Sequence, residues 1–335
     1  MKTKIMKFGG TTLDSSLKRM EIAHLIKEEG QKYKLVVVVS AMGRMGSPYA
    51  TDTLINYLKE KKFSKKEYSM LSSCGEVISS VVLSAELQTI NIKSIALTGG
   101  EAGIQTHYKD DQTKIKYINS KKLEGYLDEG YIPIVAGFQG EREDRSITTL
   151  DRGGSDITGT SLGNSLNADL IEIYTDVAGI RTTDPSIVND SMLISNLTYS
   201  QAELMANNGA EIIHPEAIKW ASIRKIPILI KKIASNEETR IEYARTKSIS
   251  KSNKALGITI DTNHQESKIT IIEPYKELDS HHIHLFLLKN IVYSYAYKNK
   301  GNCISFKVSS EDMPKAIKLI HKALFMKKSQ EVLNV

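Results

Sequence analysis

Short, mostly apolar runs recur along this chain, and each ends in a polar or glycine-rich turn. Lys4–Phe8 runs into Gly9-Gly10-Thr11-Thr12, and Leu35–Val39 into Ser40-Ala41-Met42-Gly43. Ile95–Leu97 precedes Thr98-Gly99-Gly100, Ile132–Val135 precedes Gly137-Phe138-Gln139-Gly140, and Leu170–Tyr174 precedes Thr175-Asp176. The continuous, β-branched run Leu35–Val39 reads as a central strand of a parallel sheet, buried on both faces. Between them the period changes to that of a helix. Asp14-Ser15-Ser16 offers an N-cap to a helix running to about Glu29, with Leu17, Met20, Ala23 and Ile26 on one face. Ser72–Leu87, Ser120–Glu129, Ser200–Asn208 and Pro215–Arg224 read as further helices, Ile115–Tyr117 as a short strand and Ile226–Ile230 as a longer one. Strands alternating with helices predict an α/β fold, a three-layer αβα sandwich around a mainly parallel central sheet.

After Lys231 the periodicity fades into a polar stretch, and a different pattern follows. Strands at Leu256–Ile260 and Lys268–Ile272, a helix from Ser280, strands at Ile291–Tyr297 and Cys303–Val308 and a helix over Glu311–Phe325 make a small α+β unit. The expected organisation is therefore a first domain over 1–235, a linker over 236–254 and a second domain over 255–328.

Bulk properties narrow the function classes. The 335 residues are 41% hydrophobic and 25% charged, ordinary for a globular chain. The net charge of +6 is carried by dispersed lysines rather than a basic patch, which argues against a nucleic-acid partner. Cys74 and Cys303 are far apart and outside any metal-ligand spacing, so reduced thiols are expected. Met1-Lys2-Thr3-Lys4 leads directly into a strand, with no signal-peptide pattern, and no uncharged apolar run reaches membrane length. A soluble, cytoplasmic protein is expected. His281-His282-x-His284 reads as a solvated helix start, because no Cys or carboxylate set completes a metal site.

The chemistry concentrates in Thr148–Pro185, TTLDRGGSDITGTSLGNSLNADLIEIYTDVAGIRTTDP. Arg152 can fork onto a carboxylate or phosphate. Gly153 and Gly154 allow close backbone approach, and Ser155, Asp156 and Thr158 sit where a helix begins, with N–H groups that attract anions. Thr175-Asp176 lies at the C-terminal end of a strand, where open α/β sheets bind ligands. Lys7 places an ammonium beside the Gly9-Gly10 turn. Together these features point to a phosphate-handling enzyme.

RGGSD at 152–156 and YTDVAGIRTTDP at 174–185 resemble the corresponding blocks of aspartate kinases, within the amino-acid kinase superfamily. KFGGTT at 7–12 is similar to their KFGGTS signature, with Thr12 keeping the hydroxyl. SAMGRMGSPYATDTL from Ser40 looks like the Gram-positive form of the next loop, and HPEAIKWASIRKIPILIK from His214 like the segment that closes the kinase domain. The resemblance spans roughly Lys4 to Ile233. It implies ATP-dependent phosphorylation of the side-chain carboxylate of L-aspartate to 4-phospho-L-aspartate, the first step of lysine, diaminopimelate, threonine and methionine synthesis. Lys7 would neutralise the transferring phosphoryl, Gly9 and Gly10 would donate amides to it, and Asp156 would orient Lys7. Arg152 would clamp the substrate α-carboxylate and Glu76 its ammonium, with Thr51 and Ser155 adding hydroxyl contacts. ATP would be held by Lys7 through Gly10, Ser40, Thr175, Asp176, the loop Arg181, Thr182, Thr183, Asp184, Pro185 and Ser186, and the position of Glu211. Mg²⁺ would arrive on the ATP phosphates, with no dedicated protein cage.

The C-terminal unit resembles a single ACT-type regulatory domain, where the family usually carries two. A homodimer through it is expected, with an amino-acid effector possible and inhibition by lysine or threonine weak or absent. Three residues depart from the pattern: Asp151 replaces a Gly, Glu211 a Lys and Arg181 an aromatic. Arg181 is the candidate to restore the positive charge lost at Glu211. The alternatives are a kinase for another amino acid, or a catalytically weak paralogue acting as a regulatory or assembly subunit.

Overall fold

The computed structural model describes residues 1–210, 212–244, 255–263, 265–275 and 278–326. Glu211 and the 245–254 part of the expected linker lie outside the described residues. Two compact units are present, Met1–Gly179 with Ile213–Tyr243, and Ile180–Ile212 with Ala244–Val335.

The first unit begins with β1 (Lys2–Phe8), α1 (Ser16–Gly30), β2 (Tyr33–Val39), α2 (Thr51–Asn56), α3 (Lys65–Ser72) and α4 (Cys74–Thr89). It continues through β3 (Ser94–Leu97), β4 (Ile104–Lys109), β5 (Gln112–Ile118), α5 (Lys121–Asp128), β6 (Ile132–Ala136), β7 (Gln139–Glu141), β8 (Ile147–Thr149), α6 (Gly154–Ser165) and β9 (Leu170–Tyr174). After β10 (Asn196–Thr198) and α7 (Tyr199–Asn207), which belong to the second unit, it resumes with α8 (Pro215–Ile223), β11 (Ile228–Lys231) and β12 (Glu238–Glu242).

Within this unit the main sheet runs β12-β11-β9-β1-β2-β6-β3. The pairings of β1, β2, β3, β6, β9 and β11 are parallel, and β12 joins antiparallel. Period-two alternation divides β1 between two layers. Met6 and Phe8 enter a core with Ile22 and Ile26 of α1, Leu83 and Leu87 of α4, and Leu35, Val37 and Val39 of β2. Ile5 and Lys7 face α6, whose Gly159 and Gly163 let the helix approach so closely that an added Cβ would lie 3.5 Å from Lys7 Cβ and 2.9 Å from Ile171 Cδ1. The register sets Phe8 opposite both Val39 and Tyr174, and Val39 opposite Ala136. The loops after β1, β2, β6 and β9 therefore leave the sheet at one level, along its C-terminal edge.

Three features differ from the sequence expectation. The strand at Ile115–Tyr117 is not part of the parallel sheet; as β5 it forms a hairpin with β4 in a separate sheet ordered β5-β4-β7-β8. The hairpin turns at Asp110 and Asp111, both at positive φ, a conformation that Asp tolerates in tight turns. β12 extends the main sheet into the expected linker, because Thr239 and Ile241 alternate inward between charged neighbours. Residues 180–212 fall with the C-terminal unit, since Val188 joins its core and Ile258 N–H donates to the Thr182 carbonyl at 2.7 Å. Lys65–Thr89 is long and apolar enough to pass for a membrane span, but half of that window is buried, and Leu83 and Leu87 sit in the core.

The second unit holds β13 (Gly257–Thr262), β14 (Glu266–Ile272), α9 (Ser280–Lys289), β15 (Ser294–Lys300), β16 (Cys303–Ser309) and α10 (Met313–Phe325). An antiparallel sheet ordered β13-β14-β16-β15 presents Ile258, Ile269, Ile271, Ile304 and Phe306 to the apolar faces of α9 and α10.

A charge network is buried on the first unit's sheet. Lys4 of β1, 3% exposed, pairs with Glu29 of α1 and lies 3.5 Å from Glu172 Oε1 of β9. Lys231 Nζ reaches the same oxygen at 3.3 Å, and Tyr174 Oη donates to Glu172 Oε2 at 2.9 Å. Removing one partner of such a group leaves the others desolvated and uncompensated. Lys4→Met is expected to cost about 3 kcal/mol of unfolding free energy, with Lys32 and Lys231 limiting the loss. Urea denaturation checks this, and a change below about 0.5 kcal/mol would show the network to be structurally idle.

Candidate active site

A cavity of about 910 Å³ opens at the C-terminal edge of the first unit's sheet. Of the residues singled out from sequence, Lys7, Gly10, Ser40, Thr51, Glu76, Arg152, Ser155 and Asp156 line it. They come from the end of β1 and from separate loops and helices, and the common level of the strand ends brings them together.

Lys7 and Asp156 meet across the wall, with Nζ 2.6 Å from Oδ1 and only 10% and 11% of their side chains exposed. Asp156 stands in the first turn of α6, where the helix dipole favours a carboxylate. That turn is shaped by Gly153 at φ +80, where a Cβ would press to 2.7 Å from His214 Cβ. Thr158 Oγ1 accepts from Phe138 N–H at 3.1 Å, tying the loop after β6 to α6. Ser155 is buried against Gly137, whose added Cβ would lie 2.8 Å from Ser155 Oγ.

Glu76 lies in the first turn of α4 and is 3% exposed. Its Oε1 accepts from Ala41 N–H at 3.2 Å and Thr51 Oγ1 at 3.4 Å, while Oε2 is buried with no hydrogen-bond partner in the structure. Burial outweighs these hydrogen bonds and pushes its carboxyl up to about 8. A buried acid with one unsatisfied oxygen, in the lining of a polar cavity, has the chemistry to pair with a cation.

Other expected residues are placed differently. The Phe8 side chain is buried in the core and stacked on Tyr174, with ring centroids 4.8 Å apart, so it is closed to a ligand. Its position on the same strand face as Met6 required that outcome. Gly9 N–H donates to the Tyr174 carbonyl at 3.0 Å and is engaged inside the fold; Gly10 is the turn glycine that faces the cavity. A side chain at Gly10 would strike the carbonyls of Ala41 at 2.3 Å and Gly43 at 2.8 Å. Thr175 N–H donates to the Lys231 carbonyl at 2.9 Å, and Thr175 Oγ1 to Asp176 Oδ1 at 3.1 Å.

Arg181, Thr182, Thr183, Asp184, Pro185 and Ser186 belong to the second unit. There Arg181 donates to the Ser191 carbonyl, and Thr182 Oγ1 bonds His321 Nε2 at 2.9 Å. Asp184 Oδ1 accepts from Ser186 N–H at 2.8 Å in a local turn. The charge compensation expected between Arg181 and Glu211 falls partly outside the described residues.

Several lining residues were not anticipated, among them Arg44, Asp52, Lys65 and Tyr108. The one sequence signal for Arg44 was its place between Gly43 and Gly46, both at positive φ. Lys65 and Tyr108 meet through a hydrogen bond from the Lys65 ammonium to the Tyr108 hydroxyl, and their encounter depends on the β4–β5 hairpin, a pairing that local periodicity does not encode.

The raised Glu76 value makes stability depend on pH. The unfolded carboxyl ionises near 4.5, while the folded one keeps its proton to about 8. Across that window the native state binds more protons, so rising pH erodes stability, and below or above it the contribution is constant. Glu76→Gln has no such titration. Its stability advantage over the native sequence should therefore grow from about pH 4.5 to about pH 8, read from urea midpoints; a difference independent of pH would refute the assignment.

The chain matches the Amino acid kinase family over residues 2–232. It is similar to the aspartokinase of Geobacillus stearothermophilus, 34% identical over 325 residues, covering 94% of this chain and 78% of that protein. It is 39% identical to Aspartokinase 1 of Bacillus subtilis over 241 residues, a match that spans 71% of this chain and 60% of the relative's length. The crystal structure of aspartate kinase from Synechocystis aligns with a TM-score of 0.62 at 30% identity, over 98% of this chain and 57% of that one. On these grounds, and with its strand-end turns and buried Lys7–Asp156 pair in one cavity, the chain belongs to the amino acid kinase family and, within it, to the aspartokinases.

Proposed function

We propose that this chain is an aspartate kinase that transfers the γ-phosphoryl group of MgATP to the side-chain carboxylate of L-aspartate, giving 4-phospho-L-aspartate and ADP. The observation that carries this reading is the composition of a single cavity. It holds a buried acid with an unsatisfied oxygen, Glu76, a guanidinium, Arg152, and an ammonium, Lys7, beside a glycine turn. An acceptor bearing both an ammonium and a carboxylate suits Glu76 with Arg152, which disfavours acetylated amino acids and nucleotides as acceptors.

In this mechanism a side-chain carboxylate oxygen attacks the γ-phosphorus while the bond to the β-phosphate oxygen breaks. The nucleophile is already ionised, so no general base is needed. Positioning and charge neutralisation supply the catalysis. Lys7, held in place by Asp156, offsets charge on the transferring group, and the Gly10 turn lets the phosphates approach the backbone. Thr51 and Ser155 add hydroxyl contacts to the amino acid. Thr175 and Asp176, at the end of β9, serve the nucleotide, and Mg²⁺ enters as part of the MgATP substrate.

A homodimer through the C-terminal, ACT-like unit belongs to the same reading. It is supported by β15, a sheet-edge strand whose vicinity exposes Ile291, Tyr293 and Tyr295. An amino-acid effector bound by that unit is compatible with it. Asp151 in the cavity is the feature that keeps a weakly active, regulatory subunit as the second reading.

Purified protein with MgATP, L-aspartate and hydroxylamine should yield an aspartate-dependent hydroxamate, and Lys7→Ala should lower the rate by about 10²- to 10³-fold. Equal turnover with N-acetylglutamate, L-glutamate or UMP would reject the substrate assignment, and no turnover with any acceptor would favour the regulatory reading. Binding of the substrate ammonium must also drive the proton off Glu76. The Michaelis constant for aspartate is therefore expected to fall as pH rises toward about 8, by at most about tenfold per unit. A flat profile from about pH 6 to 8 would show that Glu76 does not receive the ammonium.

A further inference from the structure

The cavity wall carries four basic side chains, Lys7, Arg44, Lys65 and Arg152. Lys7 is held by Asp156 at 2.6 Å, and Lys65 lies over the Tyr108 ring, 4.0 Å from its centroid. Arg152 is assigned to the acceptor carboxylate. Arg44 has a different kind of restraint. Its Nη2 lies 2.6 Å from Asp176 Oδ2, but the two side chains are 73% and 47% exposed. A solvated pair of this kind adds little stability, so its guanidinium transfers readily to a stronger anion.

The backbone beneath that guanidinium is firmly set. Gly43 N–H donates to the Gly10 carbonyl at 2.9 Å, Ser47 N–H to the Arg44 carbonyl at 2.8 Å, and Gly46 N–H to Thr53 Oγ1 at 2.9 Å. Arg44 thus leaves from a loop seated on the Gly10 turn, while its charged end is free to swing. Topology adds the decisive point. β1 lies between β2 and β9, Arg44 follows β2 and Asp176 follows β9. The ion pair therefore crosses the exit of β1, over the turn where the kinase reading places the phosphates.

We propose that Arg44 is a phosphate-contacting residue of this site, which leaves Asp176 for the polyphosphate of a nucleoside triphosphate as that group settles over the Gly9–Gly10 turn. The guanidinium supplies a mobile cation where Lys7 is already paired, and its planar fork suits phosphate oxygens. The exchange moves no covalent bond. This inference rests on the kinase reading and adds to it the source of the second positive charge.

The test is a ladder of phosphate number. Dissociation constants of AMP, Mg·ADP and the magnesium complex of a non-hydrolysable ATP analogue would be measured for the unsubstituted protein, Arg44→Ala and Arg44→Gln. Both variants should lose about 10- to 100-fold in affinity for the triphosphate, less for Mg·ADP, and within about twofold for AMP. Free guanidinium at millimolar concentration should recover part of the turnover lost by Arg44→Ala. Because Arg44 is mostly exposed, both variants should keep the native melting temperature.

Equal losses for all three nucleotides would mean that Arg44 only braces the loop through Asp176, and would overturn the proposal, as would no loss at all. Failure of the unsubstituted protein to bind any of the nucleotides would overturn both the proposal and the kinase reading. A graded ladder without aspartate-dependent turnover would support Arg44 and overturn only the acceptor assignment.

Discussion

The site depends on how closely α6 approaches the main sheet. Gly154 through Gly163 are buried throughout, and the small residues of that helix let it lie against Ile5, Lys7 and Ile171 with little side-chain volume between. That approach puts Asp156 within 2.6 Å of Lys7. A bulkier helix would hold the two charges apart and leave each buried without compensation, a costly arrangement in a low-dielectric wall. The motif glycines are thus packing requirements first, and the chemical arrangement follows from them.

β1 shows how one strand serves two purposes. Lys4 and Lys7 are both almost inaccessible, yet odd-number spacing sends them to opposite faces. Lys4 meets Glu29 and Glu172 in a network that joins α1, β1, β9 and β11. Lys7 reaches Asp156 at the cavity. The first group is fully engaged by protein partners and holds the strands in register. The second is engaged on one side only and faces space that a ligand can occupy. Tyr174 links the two, since its hydroxyl bonds Glu172, its ring stacks on Phe8 and its carbonyl accepts from Gly9. The order of the cavity edge is therefore anchored in the strands behind it.

Charge in the cavity is arranged by burial as much as by sign. Glu76 sits deep enough to stay protonated near neutral pH when no cation is bound. Arg44 and Asp176 stay near the surface, where their pairing is weak. One part of the cavity thus holds a carboxyl kept neutral by burial, and another a guanidinium whose pairing is weak. Both are suited to substrates that bring the complementary charges themselves.

Much of this was legible along the chain. Apolar runs ending in Gly-Gly, Ser-Ala and Thr-Asp turns marked the parallel sheet and its ligand edge, because strand periodicity and turn chemistry are local properties. Lys7, Arg152 and Asp156 could be named for the same reason: each lies within a few residues of a turn or helix start that orients it. What local pattern could not hold were relations between distant segments. The β4–β5 hairpin, the strand β12 in a charged stretch and the placement of 180–212 with the C-terminal unit all depend on partners far away in sequence. So does the engagement of Gly9 N–H by Tyr174, the inward turn of Phe8, and the Arg44–Asp176 pair, which spans 132 positions. The sequence alone determined which groups stand at strand ends. Only the tertiary structure decided which of them are buried, paired or free to meet a ligand, because desolvation and charge pairing act through space rather than along the chain.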